Sequence, residues 1–258
     1  MIQIRSEDDI EKIRSVCRLA AEAMEVARDT VIVGITTRAV SEKVRDFIEA
    51  GGAKAAFLGY QGFPGAICIS INEEVVHGIP SERIIKDGDV VKIDLGTYKH
   101  GFYGDMARSF TVGAVSAEAG ALLMTTEDSL YRGIAAAVTG NHVGEIGQAI
   151  QSFVEARGYG VVRALVGHGI GRHLHEEPQV PNFGRAGEGA RLKERMVLAI
   201  EPMINIGTWE VETLDDDWTV VTMDGKLSAH FENTCIVRDG SPEILTLMNG
   251  EERWQRTI

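Results

Sequence analysis

Four carboxylates and one imidazole lie inside apolar stretches of this chain, and they restrict the folds it can adopt. Asp94 follows VVKI, Asp105 follows GFYG, and Glu201 follows VLAI. His168 lies in VGHGIG, and Glu232 lies in HFENTCIV. A carboxylate buried among apolar residues loses its hydration, so these acids are tolerated together only where they share a cation. An oxygen-rich set with one nitrogen suits two divalent ions better than a closed structural zinc site, which predicts a two-metal hydrolase.

The composition excludes several other classes of protein. The 258 residues are 44% hydrophobic and carry a formal net charge of -12, which argues against disorder and against a nucleic-acid-binding surface. Three scattered cysteines without a CxxC pair indicate neither a disulfide framework nor a thiolate zinc site. The charged N-terminal segment lacks a signal-peptide core, and no apolar run approaches the length of a membrane span. We therefore expect a cytoplasmic protein.

Hydrophobic periodicity predicts a chain of mixed helices and strands. Apolar residues recur at helical spacing over 7–29, 37–50, 117–138 and 144–157. Strands are predicted over 66–71, 89–97 and 102–112, and mostly strands with glycine-rich turns over 161–238.

An internal repeat indicates two related halves. Segment 34–52 aligns with 140–158 without a gap, and both segments begin and end with glycine around a shared apolar stripe. Further along the chain, KDGDVVKIDLG aligns with KERMVLAIEPM, which brings Asp94 opposite Glu201. Only two copies occur, which argues against a solenoid. We predict one domain over residues 1–258, with halves at about 34–112 and 140–238.

The segment between the first two acids reads as a β-hairpin. Asp94 and Asp105 flank TYKHG, and a two-residue loop at 99–100 places the two carboxylates directly opposite each other. Their Cβ atoms would then lie about 4.5–5.5 Å apart. Two such carboxylates must share a proton or hold a metal. The alternative is an exposed hairpin with solvated acids, against which the VVKI run argues.

Two more histidines are candidates for contact with a substrate. His77 lies in VVHGIP, and His175 lies in HLHEEP, in the glycine- and charge-rich loop that follows His168. An imidazole near a metal can donate a hydrogen bond to a developing oxyanion or hold a leaving amide. The alternative is that both are loop histidines without a catalytic task.

Taken together, these motifs resemble those of the type I methionine aminopeptidases, in the short bacterial-type form. The resemblance extends from the first helix to about residue 243. It is carried by SINEEVVHGIP (70–80), KDGDVVKIDLG (86–96), GFYGDMARSF (101–110), GHGIGRHLHEEP (167–178), AIEPM (199–203) and DDWTVVTMDGKLSAHFENT (216–234). It implies the α/β (α+β) pita-bread fold, in which helices cover a curved antiparallel sheet built from two pseudo-symmetric halves. It also implies metal-dependent removal of the initiator methionine from nascent proteins and peptides whose second residue is small.

The resemblance implies a role for each of the five metal-type ligands. Asp94 matches the ligand of one metal, and His168 and Glu201 match ligands of the other. Asp105 and Glu232 match the bridging acids. The implied cofactors are two divalent ions per chain, with Co, Mn, Fe and Zn left open because such ligands accept all four.

The resemblance also implies the residues that handle the substrate. Glu201 would transfer a proton to the leaving amine, His175 would polarise the carbonyl oxygen, and His77 would contact the substrate. The expected methionine pocket consists of Tyr60, Phe63, Cys68, Leu174 and Trp218. The chain departs from the family pattern at Phe57, Leu174 and Asn233, which leaves the fine substrate preference open. The implied partners are nascent polypeptide N-termini, with contact at the ribosome left open, and the protein is expected to be a monomer.

Two other functions remain compatible with the same scaffold. The first is another pita-bread peptidase, such as a prolidase or aminopeptidase P, although those relatives usually carry an additional N-terminal domain. The second is a non-catalytic peptide-binding relative, which would be expected to lose ligands, whereas all five are present here.

Overall fold

The first two helices begin where the sequence supplies capping side chains. The computed structural model describes residues 2–251. Helix α1 (Glu7–Thr30) starts after Ser6, whose hydroxyl accepts a hydrogen bond from the backbone N–H of Asp9. Helix α2 (Thr37–Ala50) starts after Thr36, which caps the helix in the same way. Both predicted helices are therefore confirmed to within one residue.

The second helix pair lies in the other half of the chain. Helix α3 (Ala117–Ala135) ends three residues before the predicted boundary of 117–138, because the chain tightens into i→i+3 hydrogen bonds after Gly133. Helix α4 (Val143–Glu155) begins after His142, whose backbone N–H donates to the Glu145 carboxylate in a capping box. Across residues 2–251, no helix combines the length and the apolar character needed to cross a membrane.

The strands are short, apart from one long hairpin. In chain order they are β1 (Lys54–Ala55), β2 (Cys68–Ile71), β3 (Glu74–Val76), β4 (Val90–Lys99), β5 (Phe102–Thr111), β6 (Gly160–Val161), β7 (Gly167–Gly169), β8 (Glu176–Val180), β9 (Val197–Ile200), β10 (Met203–Asn205), β11 (Val211–Thr213), β12 (Val220–Thr222), β13 (Ser228–His230), β14 (Glu232–Ile236) and β15 (Glu243–Ile244). A 3-10 turn, Tyr60–Gly62, precedes β2.

One antiparallel sheet connects the two halves of the chain. Its nine strands follow the order β1-β4-β5-β14-β9-β7-β8, with β2 also pairing with β4 and β15 with β14. Strands β4 and β5 from the first half meet β14 and β9 from the second half at the centre. Two three-stranded sheets, β13-β10-β6 and β11-β12-β3, complete the strand pairing. The centre of the large sheet is therefore the place where residues distant in sequence meet.

Each helix pair packs with its own section of strands. Residues of α1 and α2, such as Val44, share a buried cluster with Ile93 of β4. Residues of α3 and α4, such as Ile146, share a second cluster with Leu198 of β9. The glycines that open the two repeated segments have similar left-handed φ angles, 91° at residue 34 and 97° at residue 140. The domain organisation and the boundaries of the two halves stay predictions, and Met1 and residues 252–258 of the predicted domain lie outside the described residues.

The β4–β5 hairpin corrects the predicted register. Asp94 pairs with Ala107, and Asp105 pairs with Gly96, so the prediction that the two acids oppose each other is wrong. The loop consists of residues 100–101, whose φ angles of 56° and 80° require the glycine inside the turn. Moving the loop by one residue shifts the pairing by two positions. The acids therefore keep the same face of the sheet and become diagonal neighbours.

Candidate metal centre and pocket

The central strands place three carboxylates in neighbouring rows of one sheet. Ala107 of β5 pairs with Asp94 on one side and with Glu232 of β14 on the other. Asn233 pairs with Ile200 of β9, so the same register extended by one residue brings Glu201 beside Glu232. Asp94 lies on β4, Glu232 lies on β14, and Glu201 directly follows β9. They converge because antiparallel pairing aligns these strands across the sheet.

All five metal-type ligands line one pocket. Ligand atoms of Asp105, His168 and Glu232 lie within 4.8 Å of one another. His168 Nε2 is 3.6 Å from Glu201 Oε1 and 3.9 Å from Asp105 Oδ2. Asp94 lines the same pocket. The structure therefore brings together every residue that the sequence predicted as a ligand, whereas their roles as metal ligands stay predictions.

Burial makes the charged forms of these acids unfavourable in the absence of a cation. Desolvation raises the pKa of Asp94 to about 7. Desolvation, followed by repulsion from the neighbouring carboxylates, raises the pKa of Asp105, Glu201 and Glu232 well above the ordinary values. One buried oxygen of Asp94, one of Asp105 and one of Glu232 have no hydrogen-bond partner among residues 2–251. A buried oxygen without a partner lowers the stability of the fold unless a positively charged group faces it.

The tautomer of His168 also favours a cation. Its Nδ1 lies 3.0 Å from the carbonyl oxygen of Gly169, and because a carbonyl only accepts, Nδ1 carries the proton. Nε2 then presents a lone pair towards the carboxylates. Burial lowers the pKa of His168 to about 3, so a second proton does not relieve this repulsion. A backbone carbonyl that orients an imidazole in this way is a common arrangement behind metal-binding histidines. The residues present therefore fit a divalent cation site.

The cluster lies at one end of an apolar pocket of about 220 Å³. The walls include all five residues predicted for the methionine pocket. They are Tyr60, Phe63, Cys68, Leu174 and Trp218. The rings of Phe63 and Trp218 meet edge to face at 5.1 Å between centroids. Phe57 lines the pocket as Leu174 does, so two of the three departures from the family pattern contribute directly to its shape.

The two candidate substrate histidines lie at the same pocket. The His175 ring stands 4.3 Å from that of His168, between centroids, and its Nδ1 is 2.7 Å from the Tyr60 hydroxyl. His77 has a φ of 60°, a strained conformation for a residue other than glycine, and burial lowers its pKa to about 4. Neither histidine is a free loop residue, although their contacts with a substrate stay predictions.

Sequence reasoning missed several residues of this site. The main omission is His230, which is buried with Nε2 3.7 Å from Glu201 Oε2. It stands two residues before Glu232, a spacing typical of side chains on one face of a strand, which is the signal that could have found it. Hydrophobic residues of the pocket wall were missed as well, because an apolar residue gives no sequence signal that it lines a cavity. They are Val76, Leu165, Val166 and Met203.

Comparison with known proteins agrees with this geometry. The family model for metallopeptidase family M24 matches residues 11–239. The chain belongs to metallopeptidase family M24. An M24 relative from Clostridium acetobutylicum, named methionine aminopeptidase, is 47% identical over 96% of this chain and 99% of its own length. The predicted resemblance to the methionine aminopeptidases is confirmed.

Solved structures confirm the predicted fold class. The M24 structure of methionine aminopeptidase from Rickettsia prowazekii matches with a TM-score of 0.94 and 43% identity, covering 96% of this chain and 100% of that one. The prolidase from Pyrococcus horikoshii OT3 matches at 23% identity with a TM-score of 0.78, and this chain covers 64% of it, which shows the shared fold alone. The chain therefore has the pita-bread α/β fold, and the comparisons do not favour the prolidase alternative.

Proposed function

We propose that this chain is a methionine aminopeptidase that hydrolyses the first peptide bond of polypeptides beginning with methionine, when the second residue is small. The observation that carries the proposal is the buried cluster of four acids and His168 at the end of an apolar pocket. A cluster of this kind is suited to hydrolysis, and the pocket beside it is suited to an unbranched apolar side chain. The high identity to relatives of that name supports the same substrate.

Two divalent ions fit the donor set better than one. The pKa of Asp105 is raised by the charge of Asp94, and Asp105 Oδ2 lies 3.9 Å from His168 Nε2, so Asp105 is close to a candidate ligand of each ion. Asp105 and Glu232 are the two acids that would be shared between the ions. Co, Mn, Fe and Zn all accept carboxylate and imidazole ligands, so the identity of the ions depends on availability in the cell.

Each side chain has a task in the proposed reaction. When bound, such ions lower the pKa of a water molecule and draw charge from the scissile carbonyl. Glu201 accepts the proton of that water and delivers it to the leaving amine. His175 donates a hydrogen bond to the carbonyl oxygen as negative charge develops there. His77 contacts the leaving amide, and the free α-amino group of the substrate is expected beside Asp94.

The apolar walls select the methionine side chain. Phe63 and Trp218 present aromatic surface to the pocket, and a thioether makes favourable contacts with aromatic edges. Tyr60, Cys68 and Leu174 complete the walls proposed for this side chain. We propose that the enzyme is a monomer and that it acts on the N-termini of nascent polypeptides in the cytoplasm.

The proposed function is tested with two peptides. Purified protein is stripped of metal with a chelator, reconstituted with Mn(II) or Co(II), and incubated with Met-Ala-Ser and Met-Lys-Ser. We expect metal-dependent release of methionine from the first peptide, and a rate at least about 100-fold lower with the second because a long second side chain obstructs the site. Cleavage without metal, or equal rates on both peptides, would contradict the proposal.

A tyrosine substitution tests the role of His175. Tyr60→Phe removes the hydroxyl that lies 2.7 Å from His175 Nδ1 and leaves the ring in place. The imidazole then loses the partner that holds its Nε2 towards the pocket, so we expect kcat to fall about 10-fold with little change in thermal stability. Tyr98→Phe, in a ring that stacks on Tyr103 in the β4–β5 hairpin, is the matched control and should leave kcat within about twofold. Equal kcat values for both variants would show that the Tyr60 hydroxyl does not assist catalysis.

A further inference from the structure

His230 is a buried histidine whose ring has no hydrogen-bond partner among the described residues. Both Nδ1 and Nε2 lack a partner, and the side chain is 1% exposed. Its backbone is held firmly, because the Ser109 hydroxyl accepts from the His230 N–H and donates to the His230 carbonyl oxygen. A buried ring N–H without an acceptor is rare in folded proteins. The surroundings of this ring therefore need an explanation beyond packing.

The carboxylate of Glu201 lies within 4 Å of the His230 ring. His230 Nε2 is 3.7 Å from Glu201 Oε2, while His168 Nε2 is 3.6 Å from the other oxygen, Oε1. Two imidazoles thus bracket one carboxylate, with one ring at each oxygen. Because the proton of His168 is on Nδ1, its Nε2 cannot donate to Oε1. A hydrogen bond to Glu201 from this pair of rings can come only from His230.

A cation beside Glu201 keeps its carboxyl group ionised, and that charge decides which nitrogen of His230 carries the proton. A proton on Nε2 faces the carboxylate, whereas a lone pair there would repel it. The separation is a few tenths of an ångström beyond hydrogen-bond range, and a small rotation of the Glu201 side chain closes it.

We propose that His230 is a positioning residue whose Nε2–H holds Oε2 of Glu201, so that Oε1 is left for the metal and for the transferred proton. Carboxylates that bind metals are commonly held by a hydrogen bond from a neighbouring residue, and loss of such a partner costs about 10- to 100-fold in metal affinity or activity. The catalytic consequence rests on the proposed function, while the tautomer of His230 and its effect on metal affinity do not.

Two amide substitutions separate this role from simple packing. In His230→Gln the amide nitrogen can occupy the position of Nε2, whereas in His230→Asn the shorter side chain reaches only the position of Nδ1. We expect the Gln variant to stay within about threefold of the unmodified protein in Mn(II) affinity and kcat, and the Asn variant to lose about 10- to 100-fold. Mn(II) affinity is measured by calorimetry, kcat and KM with Met-Ala-Ser, and folding by thermal unfolding without metal.

The outcomes are distinct for His230 and for the proposed function. An Asn variant as good as the unmodified protein, or Gln and Asn variants that are equally impaired, would overturn the role of His230. Failure of the unmodified protein to cleave Met-Ala-Ser would overturn the proposed function, whereas Mn(II) affinity would still decide the role of His230.

A measurement on the unmodified protein does not depend on the folding of any variant. Nitrogen-15 NMR of the histidine rings, with the His230 signals assigned through correlations to its own backbone, reports which nitrogen carries the proton. We expect the Nε2–H tautomer in the zinc-loaded protein, in which the bound ion keeps Glu201 ionised. A proton on Nδ1 would contradict the proposed hydrogen bond even if both variants fail to fold.

Discussion

Asp105→Asn is expected to abolish activity and yet to make the metal-free protein more stable. The side chain lies between Asp94 and His168 in the cluster, and its Oδ1 has no hydrogen-bond partner among the described residues. An amide is a poor metal ligand, so about 4 kcal/mol of transition-state stabilisation is lost, which corresponds to about 1,000-fold in kcat/KM.

The gain in stability follows from the same buried charges. Desolvation and the charge of Asp94 raise the pKa of Asp105 well above its ordinary value, which means that folding works against its ionised form. An amide of the same shape carries no charge, and its N–H₂ group can donate to a neighbouring carboxylate. Replacing one of several buried like charges commonly stabilises a protein by about 1–4 kcal/mol. We expect a gain in this range for the metal-free protein at pH 8.

Chemical denaturation in the presence of a chelator measures this change in the free energy of unfolding. The matched control is Asp29→Asn, which removes an exposed carboxylate whose partner, among residues 2–251, is its neighbour Arg28 on the surface of α1. The control should change the free energy of unfolding by less than about 0.5 kcal/mol and leave kcat/KM intact. A metal-free Asp105→Asn protein that is less stable than the unmodified one would show that the acids are not repelling each other.

Metal is expected to stabilise the protein more strongly as the pH rises from 6.5 to 8.5. The folded-state pKa of Asp94 is about 7, and those of Asp105, Glu201 and Glu232 are raised further by burial. Unfolded carboxylates titrate near pH 4, so in this window the metal-free folded state binds more protons than the unfolded state. The contribution of these acids to stability is therefore present at low pH and is lost as the pH rises through the folded-state pKa values.

A bound divalent ion removes this loss, because it replaces the protons that the cluster would otherwise hold. If one proton is displaced, the stabilisation by metal grows by about 2.7 kcal/mol over two pH units, or about 5 °C in melting temperature. Lys92 is buried with a pKa lowered to about 7, so it titrates in the same window with the opposite sign. Lys92 is not one of the candidate ligands, so its contribution to stability is the same with and without metal. This contribution cancels when the metal-free melting temperature is subtracted from the metal-loaded one.

The measurement is a series of calorimetric melts with Mn(II) or with chelator at each pH. The rings of His77, His168 and His230 are neutral in the folded state throughout this window. Unfolded histidines titrate at its lower edge, but the unfolded chain is common to both melts and cancels in their difference. Asp29→Asn serves as the control, since it keeps the buried acids and should show the same dependence on pH as the unmodified protein. A metal-induced shift that is constant from pH 6.5 to 8.5 would contradict the assignment of buried, proton-holding acids.

Local patterns were sufficient for most helices and strands and for choosing candidate ligands that the structure brings together. Apolar periodicity and capping residues such as Ser6 act within one helical turn, so α1 and α2 were predicted to within one residue. The cost of burying Asp94, Glu201 and Glu232 can also be read without coordinates, because their neighbours in sequence are apolar. The structure places all five candidate ligands and the five candidate pocket residues around one cavity.

Relations between segments needed the tertiary structure. The hairpin register depended on which residues adopt a left-handed conformation at 100–101, and the sequence favoured the neighbouring pair. The 3-10 end of α3 depended on contacts made by the chain that follows it. His230 escaped notice because its significance lies in a distance of 3.7 Å to Glu201, a residue 29 positions earlier at the end of β9.

The sequence by itself predicted that five candidate ligands share cations inside an antiparallel α/β fold, because isolated buried charges are unfavourable. Only the tertiary structure decided how those side chains face one another. Strand pairing aligns Asp94, Glu232 and Glu201 across the sheet, and hydrogen bonds such as that from His168 to Gly169 set which nitrogen faces the acids. Pairing between distant strands and the direction of a ring proton depend on contacts that linear spacing does not encode.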